Sequence, residues 1–210
     1  MSGRLFKKIH RSRVMSEQTS FLSMIQRSYS KYLQTTSRSN GKVNIIHKWI
    51  KNQLSSFYEE SRYVLSTDTF IPACNARGSK NTDIVVFDKI TNKYILGVCV
   101  KYVCSSYSKN RNNYLEGAIG EATTIKKANP GIKLISFNIF PSECPHYDKN
   151  GKIRRFESIN YDNHLKIYES YVSDTFYDEL IIYQLDIDYE KHKIIGLNRN
   201  TPYINFSKII

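Results

Sequence analysis

Two charged residues and one cysteine in the middle of the chain have the types and spacing from which a site for phosphodiester cleavage could be built. Asp83 opens the apolar run "DIVVFD", Lys101 follows the apolar run "KYILGVCV", and Cys99 lies two places before the lysine. A carboxylate can hold a divalent cation, and a nearby lysine can orient water or stabilise developing negative charge. Asp83 and Lys101 are therefore candidate catalytic residues, with Asp83 as a metal ligand.

The two apolar runs must be held side by side for this chemistry. Both are rich in β-branched and aromatic residues, and the turn-like segment "KITNK" separates them, which predicts an antiparallel hairpin. Because side chains alternate along a strand, Cys99 and Lys101 share one face of the hairpin. The simpler interpretation of Lys101 is that it marks a strand end and that its ammonium group reaches water.

The flanking segments predict helices and further strands. Residues 1–42 are interpreted as a basic N-terminal arm with a short helix in "SFLSMIQRSYSKYL", and a second helix runs through "VNIIHKWIKNQLSSFYEESRYVL". After the hairpin we expect a helix in "NNYLEGAIGEATTIKKA" and a strand in "IKLISFNIF" that can pair in parallel with the Lys101 strand.

The last third of the chain completes the predicted domain. Residues 141–159 read as a loop with a tight turn at "DKNGK", followed by a helix in "YDNHLKIYESYVSDTF", a strand in "DELIIYQLDIDY" and an irregular tail. This order predicts a single α/β domain over residues 43–210, with a mixed β-sheet flanked by helices.

The stretch "TD…CVK" resembles the signature of the PD-(D/E)xK nucleases. The segments "SSYSKNRNNYLEGAIGEA" and "FNIFPSECPHYDKNGKIRRFE" are also similar to parts of type II restriction endonucleases, and the resemblance covers residues 68–171. It implies a restriction-endonuclease-like fold, Mg²⁺ (with Mn²⁺ as a substitute) and hydrolysis of DNA. For an enzyme of this kind it also implies a homodimer and a cognate DNA methyltransferase that acts separately.

Two residues depart from that signature. Thr82 stands where the family has a proline, and Cys99 stands where it has an acid; a thiol is a poor ligand for Mg²⁺. Some enzymes of this family carry the acid on the following helix instead. Glu116 is therefore the expected second metal ligand and Glu121 the reserve, and both are candidate catalytic residues. The competing interpretation is that these glutamates lie on a solvated helix face.

The charge balance favours a polyanionic partner. The chain has 31 Lys and Arg against 19 Asp and Glu, a formal charge of +12, which is typical of proteins that bind nucleic acid. Two basic segments supply the candidate contacts to double-stranded DNA: a loop after the Lys101 strand and the segment "NGKIRRFE". The candidates are Lys109, Arg111, Asn112, Lys152, Arg154 and Arg155.

The remaining features bear on compartment and on alternative functions. The four cysteines form no CxxC pair, and the N-terminus lacks the apolar segment of a secretory signal, so we expect a reducing, cytoplasmic location with no membrane association. The leading hypothesis is a Mg²⁺-dependent endonuclease. The alternatives are an inactive, basic DNA-binding protein that keeps the nuclease fold, and a nuclease of repair or recombination.

Overall fold

A computed structural model describes residues 2–35, 39–160, 162, 165–173 and 176–198, with the side chains of residues 2–16 and 171–173 left aside. Its helices are α1 (Ser2–Leu33), α2 (Gly41–Ser55), α3 (Tyr107–Ala128) and α4 (Lys166–Ser173). Its strands are β1 (Tyr63–Pro72), β2 (Ser79–Asp88), β3 (Lys93–Tyr102), β4 (Lys133–Pro141), β5 (Glu143–Tyr147), β6 (Ile153–Ser158), β7 (Glu179–Asp188) and β8 (Lys193–Leu197).

The strands form a six-stranded mixed sheet in the order β1-β2-β3-β4-β7-β8, and β5 and β6 form a separate two-stranded sheet. β1, β2 and β3 pair antiparallel, β4 pairs in parallel with both β3 and β7, and β8 returns antiparallel to β7. The predicted mixed sheet flanked by helices is confirmed, as are the hairpin of β2 and β3 and the parallel crossover through α3.

Helices cover both faces of the large sheet. One face packs against α1 and α2, whose buried residues Phe21, Met24, Ile46 and Ile50 join Val98 and other strand residues in one apolar core. The opposite face packs against α3. Period-2 alternation along β3 explains the division, because Val98 faces the first layer and Cys99 the second.

The structure differs from the predicted secondary structure in four places. α1 begins at residue 2 and is therefore longer than the short helix expected. α2 ends at Ser55, and β1 occupies residues that were assigned to the end of that helix or to no element. The tail contains β8, and the loop predicted over 141–159 contains the hairpin of β5 and β6.

The hairpin of β5 and β6 was missed because Pro145 lies within β5, and proline in a short run argues against a strand. The expected turn at "DKNGK" does connect the two strands. The Asp148 side chain accepts hydrogen bonds from the backbone N–H groups of Asn150 and Lys152, at 2.8 and 3.0 Å. Gly151 supplies the positive φ of 78° that this turn requires.

Two further predictions concern the whole chain. The division into an arm over residues 1–42 and a domain over 43–210 stays a prediction, although α1 contributes Phe21 and Met24 to the same core as the sheet.

Among the described ranges, no helix combines the length and apolar character needed to cross a membrane.

Candidate active site

A cleft of about 470 Å³ opens between α3 and the face of the sheet formed by β2, β3 and β4. Both predicted catalytic residues of the hairpin, Asp83 and Lys101, line it together with Glu121 from α3. The other polar lining residues are Lys80, Asn81, Asn113, Tyr114, Ser136, Asn138, Tyr168 and Tyr177. The antiparallel pairing of β2 with β3 explains the arrangement, since Ile84 pairs with Val98 and so sets Asp83 beside Cys99.

The Asp83 carboxylate is fixed by the neighbouring strand. Its Oδ2 atom accepts a hydrogen bond from the backbone N–H of Val100 at 2.6 Å, and its side chain is 28% exposed. Burial raises the pKa of Asp83, while His47 and the Val100 hydrogen bond act in the opposite direction. The strand therefore holds Oδ2, while Oδ1 lies 3.6 Å from His47 Nε2.

The two candidate glutamates of α3 lie in different surroundings. Glu121 lines the cleft and its side chain is 21% exposed, whereas Glu116 is exposed and is not among the lining residues. Five helical residues correspond to a rotation of about 140° beyond one full turn, so the two cannot share a direction. The structure thus brings the reserve residue Glu121, rather than Glu116, to the cleft that Asp83 and Lys101 share.

The Glu121 carboxylate has its own cationic neighbour. Lys80, on β2, places its Nζ atom 3.6 Å from Glu121 Oε1. Burial raises the pKa of Glu121, Lys80 lowers it, and the negative charge of Asp83 raises it again. The negative charge of Asp83 therefore acts on Glu121 within the cleft.

Lys101 is held by an aromatic ring. Its Nζ atom lies 3.9 Å from the centroid of the Tyr114 ring, a cation–π contact between β3 and α3. Burial lowers the pKa of Lys101, and the carboxylates of Glu121 and Asp83 raise it. The ammonium group is thus oriented into the cleft, which argues against a strand-end lysine that merely reaches solvent.

Cys99 fills the position where the strand acid was missing. It is only 7% exposed and packs in one cluster with Ala122, Ile125 and Tyr177. Burial and the nearby charges of Glu121 and Asp83 raise the pKa of the Cys99 thiol well above its ordinary value. Because metal-bound cysteine is a thiolate, this raised pKa disfavours Cys99 as a metal ligand.

The donor set of the cleft fits a hard divalent cation. Mg²⁺ takes oxygen ligands, and it is usually bound by one or two carboxylates together with water and substrate phosphate. Asp83 and Glu121 supply two carboxylates from different elements into one cleft. These two residues could hold Mg²⁺ here.

Sequence reasoning missed His47 and Asp68, which lie against Asp83. His47 Nδ1 is 3.1 Å from Asp68 Oδ1, and His47 Nε2 is 3.6 Å from Asp83 Oδ1. A signal for His47 was present, because it shares the buried stripe of α2 with Ile50 and Leu54. Asp68 gave no such signal, and neither did Lys80.

The six predicted DNA contacts fall in two segments that the structure brings together. Lys109, Arg111 and Asn112 were expected on a loop but lie in the first turns of α3, while Lys152 precedes β6 and Arg154 and Arg155 lie on it; all six are exposed. Glu157 of β6 accepts the Ser108 backbone N–H with both carboxylate oxygens, at 3.0 and 3.1 Å. This contact sets the β5–β6 hairpin beside the start of α3.

Comparison with known proteins adds little to this geometry. The chain matches no protein-family model and no curated protein sequence. Its structure is similar to that of an XisH family protein from Nostoc punctiforme PCC 73102, with 12% identity and a TM-score of 0.34 over 72% of this chain and 96% of that one. A likeness of that degree carries no argument about function.

Proposed function

We propose that this protein is a divalent-metal-dependent DNA endonuclease of the PD-(D/E)xK type. The observation that carries the proposal is the convergence of Asp83, Glu121 and Lys101 on one cleft from three different elements. Carboxylates and a lysine in a partly desolvated cleft are the groups that phosphodiester hydrolysis needs. In this proposal the second acid is Glu121 of the helix, the reserve candidate, in place of Glu116.

Each residue has a distinct role in the proposal. Asp83 and Glu121 hold Mg²⁺, which when bound neutralises charge on the scissile phosphate and favours ionisation of water. Lys101, aligned by Tyr114, orients the attacking water and stabilises negative charge on the phosphate. The Val100 N–H holds Asp83 Oδ2, which aligns the carboxylate for this role.

The basic surface is proposed to bind the DNA substrate. The formal charge of +12 favours binding of double-stranded DNA by counterion release. Lys109, Arg111 and Asn112 on α3 and the basic residues of β6 are proposed to contact the DNA backbone from two neighbouring segments. A type II restriction activity, a homodimer that cuts both strands and a separately acting methyltransferase are the finer proposals, as is a reducing, cytoplasmic location.

The test is plasmid cleavage with Mg²⁺ or Mn²⁺, using two matched variants of the same helix. Glu121→Gln removes the charge of the glutamate in the cleft, and Glu116→Gln removes that of an exposed neighbour on α3. We expect cleavage by the wild type and by Glu116→Gln, and at least about a hundredfold loss in Glu121→Gln, Asp83→Asn and Lys101→Met. Cleavage retained in Glu121→Gln and lost in Glu116→Gln would reverse the assignment of the two acids.

One observation favours an inactive DNA-binding protein instead. Lys80 already pairs with Glu121, so an internal ammonium group competes for a carboxylate that a metal would use. If that ion pair is permanent, the cleft binds no metal ion and cleaves no DNA. The basic surface would then still bind DNA. DNA binding without cleavage under either cation, in the wild type and in Lys80→Ala, would support this second function over the first.

A further inference from the structure

Three residues from three elements form a second group of ligand atoms beside the cleft. His47 of α2, Asp68 of β1 and Asp83 of β2 each offer one atom, and these atoms all lie within 4.8 Å of one another. The pairing of β1 with β2 runs from Thr67–Ile84 to Thr69–Thr82, so Asp68 lies opposite Asp83.

The imidazole of His47 is oriented from one side. Its Nδ1 atom is 3.1 Å from Asp68 Oδ1, which is the geometry of an N–H donated to a carboxylate. In the neutral imidazole whose proton lies on Nδ1, the Nε2 atom carries the lone pair that a metal ligand needs. The tautomer is assigned from this hydrogen bond.

The other nitrogen of His47 is buried and unpartnered. His47 is 3% exposed, and its Nε2 atom has no hydrogen-bond partner. The Oδ1 atom of Asp83 lies 3.6 Å from Nε2. In that tautomer the lone pair faces a carboxylate oxygen, which is repulsive, and a buried polar atom without a hydrogen bond is destabilising. A cation bound between the two atoms would satisfy both.

We propose that His47 and Asp83 are adjacent ligands of a divalent transition-metal cation and that Asp68 positions the imidazole. Two ligands of one cation with bonds of about 2.1 Å are about 3.0–3.5 Å apart, close to the observed Nε2–Oδ1 distance. A metal-bound histidine usually donates its other N–H to a carboxylate, as His47 does to Asp68.

The donor set also indicates which cation is bound. Imidazole nitrogen suits Zn²⁺, Fe²⁺, Ni²⁺ or Cu²⁺, whereas Mg²⁺ takes oxygen ligands, and Mn²⁺ serves as the paramagnetic probe of the site. The inference deepens the proposed function, on which it rests for the use of Asp83 as a ligand. It changes the expected cation of that site from Mg²⁺ to a transition metal.

The experiment is titration of the full chain with Mn²⁺, in the absence of DNA, followed by electron paramagnetic resonance. His47→Gln removes the proposed ligand, and His146→Gln is the matched control, because His146 also pairs with a carboxylate, Glu157, at 3.0 Å. We expect His47→Gln to weaken Mn²⁺ binding by about tenfold or more and Asp68→Asn by about 10–100-fold, with His146→Gln unchanged.

A second readout does not depend on the folding of any variant. In the wild-type complex, pulsed measurements should show ¹⁴N coupling to the bound Mn²⁺, as a directly coordinated imidazole produces. Bound Mn²⁺ without ¹⁴N coupling, no Mn²⁺ binding, or equal affinity in folded His47→Gln would overturn the inference. His47 would then be an imidazolium that bridges two aspartates.

The two proposals fail in different ways. Mn²⁺ bound through nitrogen, in a protein that leaves plasmid intact, would refute the endonuclease and leave the metal site standing. Cleavage by a protein whose Mn²⁺ shows no nitrogen ligand would refute the metal site and leave the endonuclease standing.

Discussion

Replacing Cys99 with aspartate puts an acid back on the strand two places before Lys101, and the structure predicts what this does to stability. Cys99 is 7% exposed and is packed with Ala122 and Tyr177, and its thiol already experiences the negative charges of Glu121 and Asp83. A carboxylate there would be buried as the third acid of the site.

The magnitude follows from the balance of charges. An uncompensated buried charge has a cost of about 3–5 kcal/mol. Lys80 and Lys101 offset part of the repulsion, because both line the same cleft. We therefore expect Cys99→Asp to lower the free energy of unfolding by about 3 kcal/mol relative to Cys99→Ser, at pH 8 and without divalent cations.

The pH dependence of this cost has a definite sign. Burial and two neighbouring carboxylates would raise the pKa of the new side chain above its value in the unfolded chain, which is about 3.9. The folded protein then binds the proton more tightly than the unfolded chain. The cost is therefore complete above the folded-state pKa, decreases as the pH falls through it, and vanishes below the unfolded-state pKa.

The assay is urea unfolding followed by tryptophan fluorescence. Trp49 is the single tryptophan and is 6% exposed in the core, so its emission reports global unfolding. With a slope of about 3 kcal/mol per molar urea, the predicted cost shifts the midpoint by about 1 M. The shift should be smaller at pH 5, and Mn²⁺ should reduce it because a third carboxylate adds a ligand.

Equal midpoints for the aspartate and serine variants at pH 8 in a chelator would refute this reasoning. Position 99 would then be open to water or already neutralised, and the structural account of why a cysteine occupies it would be wrong. If the difference in urea midpoint between the two variants is the same at pH 5 and at pH 8, the cost is steric rather than electrostatic.

Three further outcomes are expected. Arg155→Ala should weaken DNA binding and reduce the slope of log affinity against log salt by about one unit, measured by fluorescence anisotropy at several salt concentrations. Gly97→Ala should lower stability by about 1–3 kcal/mol in urea unfolding, because a Cβ atom there would lie 2.7 Å from Leu134 Cδ2; Gly120→Ala, with open space around it, should not. The Arg62 guanidinium holds the pKa of Asp88 well below its ordinary range, so Asp88→Asn should lower the urea midpoint at pH 7, with a difference that narrows below about pH 4.

The parts of the fold that sequence could predict are those with a strong local period. β2, β3, α3 and β4 have clear alternation or helical spacing, and their order fixes an antiparallel hairpin followed by a parallel crossover. β1 could not be found in this way. Its burial alternates weakly, since it lies at the edge of the sheet, and edge strands carry polar and exposed residues.

Sequence could predict the candidate site residues only where local structure, such as a single hairpin, fixes their relative positions. Asp83 and Lys101 follow from the register of a single hairpin. The choice between Glu116 and Glu121 depends on the rotation of α3 about its axis, which its packing of Ala122 and Ile125 against the sheet decides. His47 and Asp68 could not be assigned at all, because their approach to Asp83 requires α2 and β1 to meet beside the middle of β2.

The left-handed backbone of Asp68 limits which residues can replace it. Its φ of 51° is tolerated by few side chains, mainly glycine, asparagine and aspartate. Glutamate would keep the charge but not the backbone preference, and glycine would keep the backbone but lose the acceptor for His47. Asparagine keeps the backbone preference and an oxygen that can accept from His47, so it is the replacement that removes the charge with the least change to the strand.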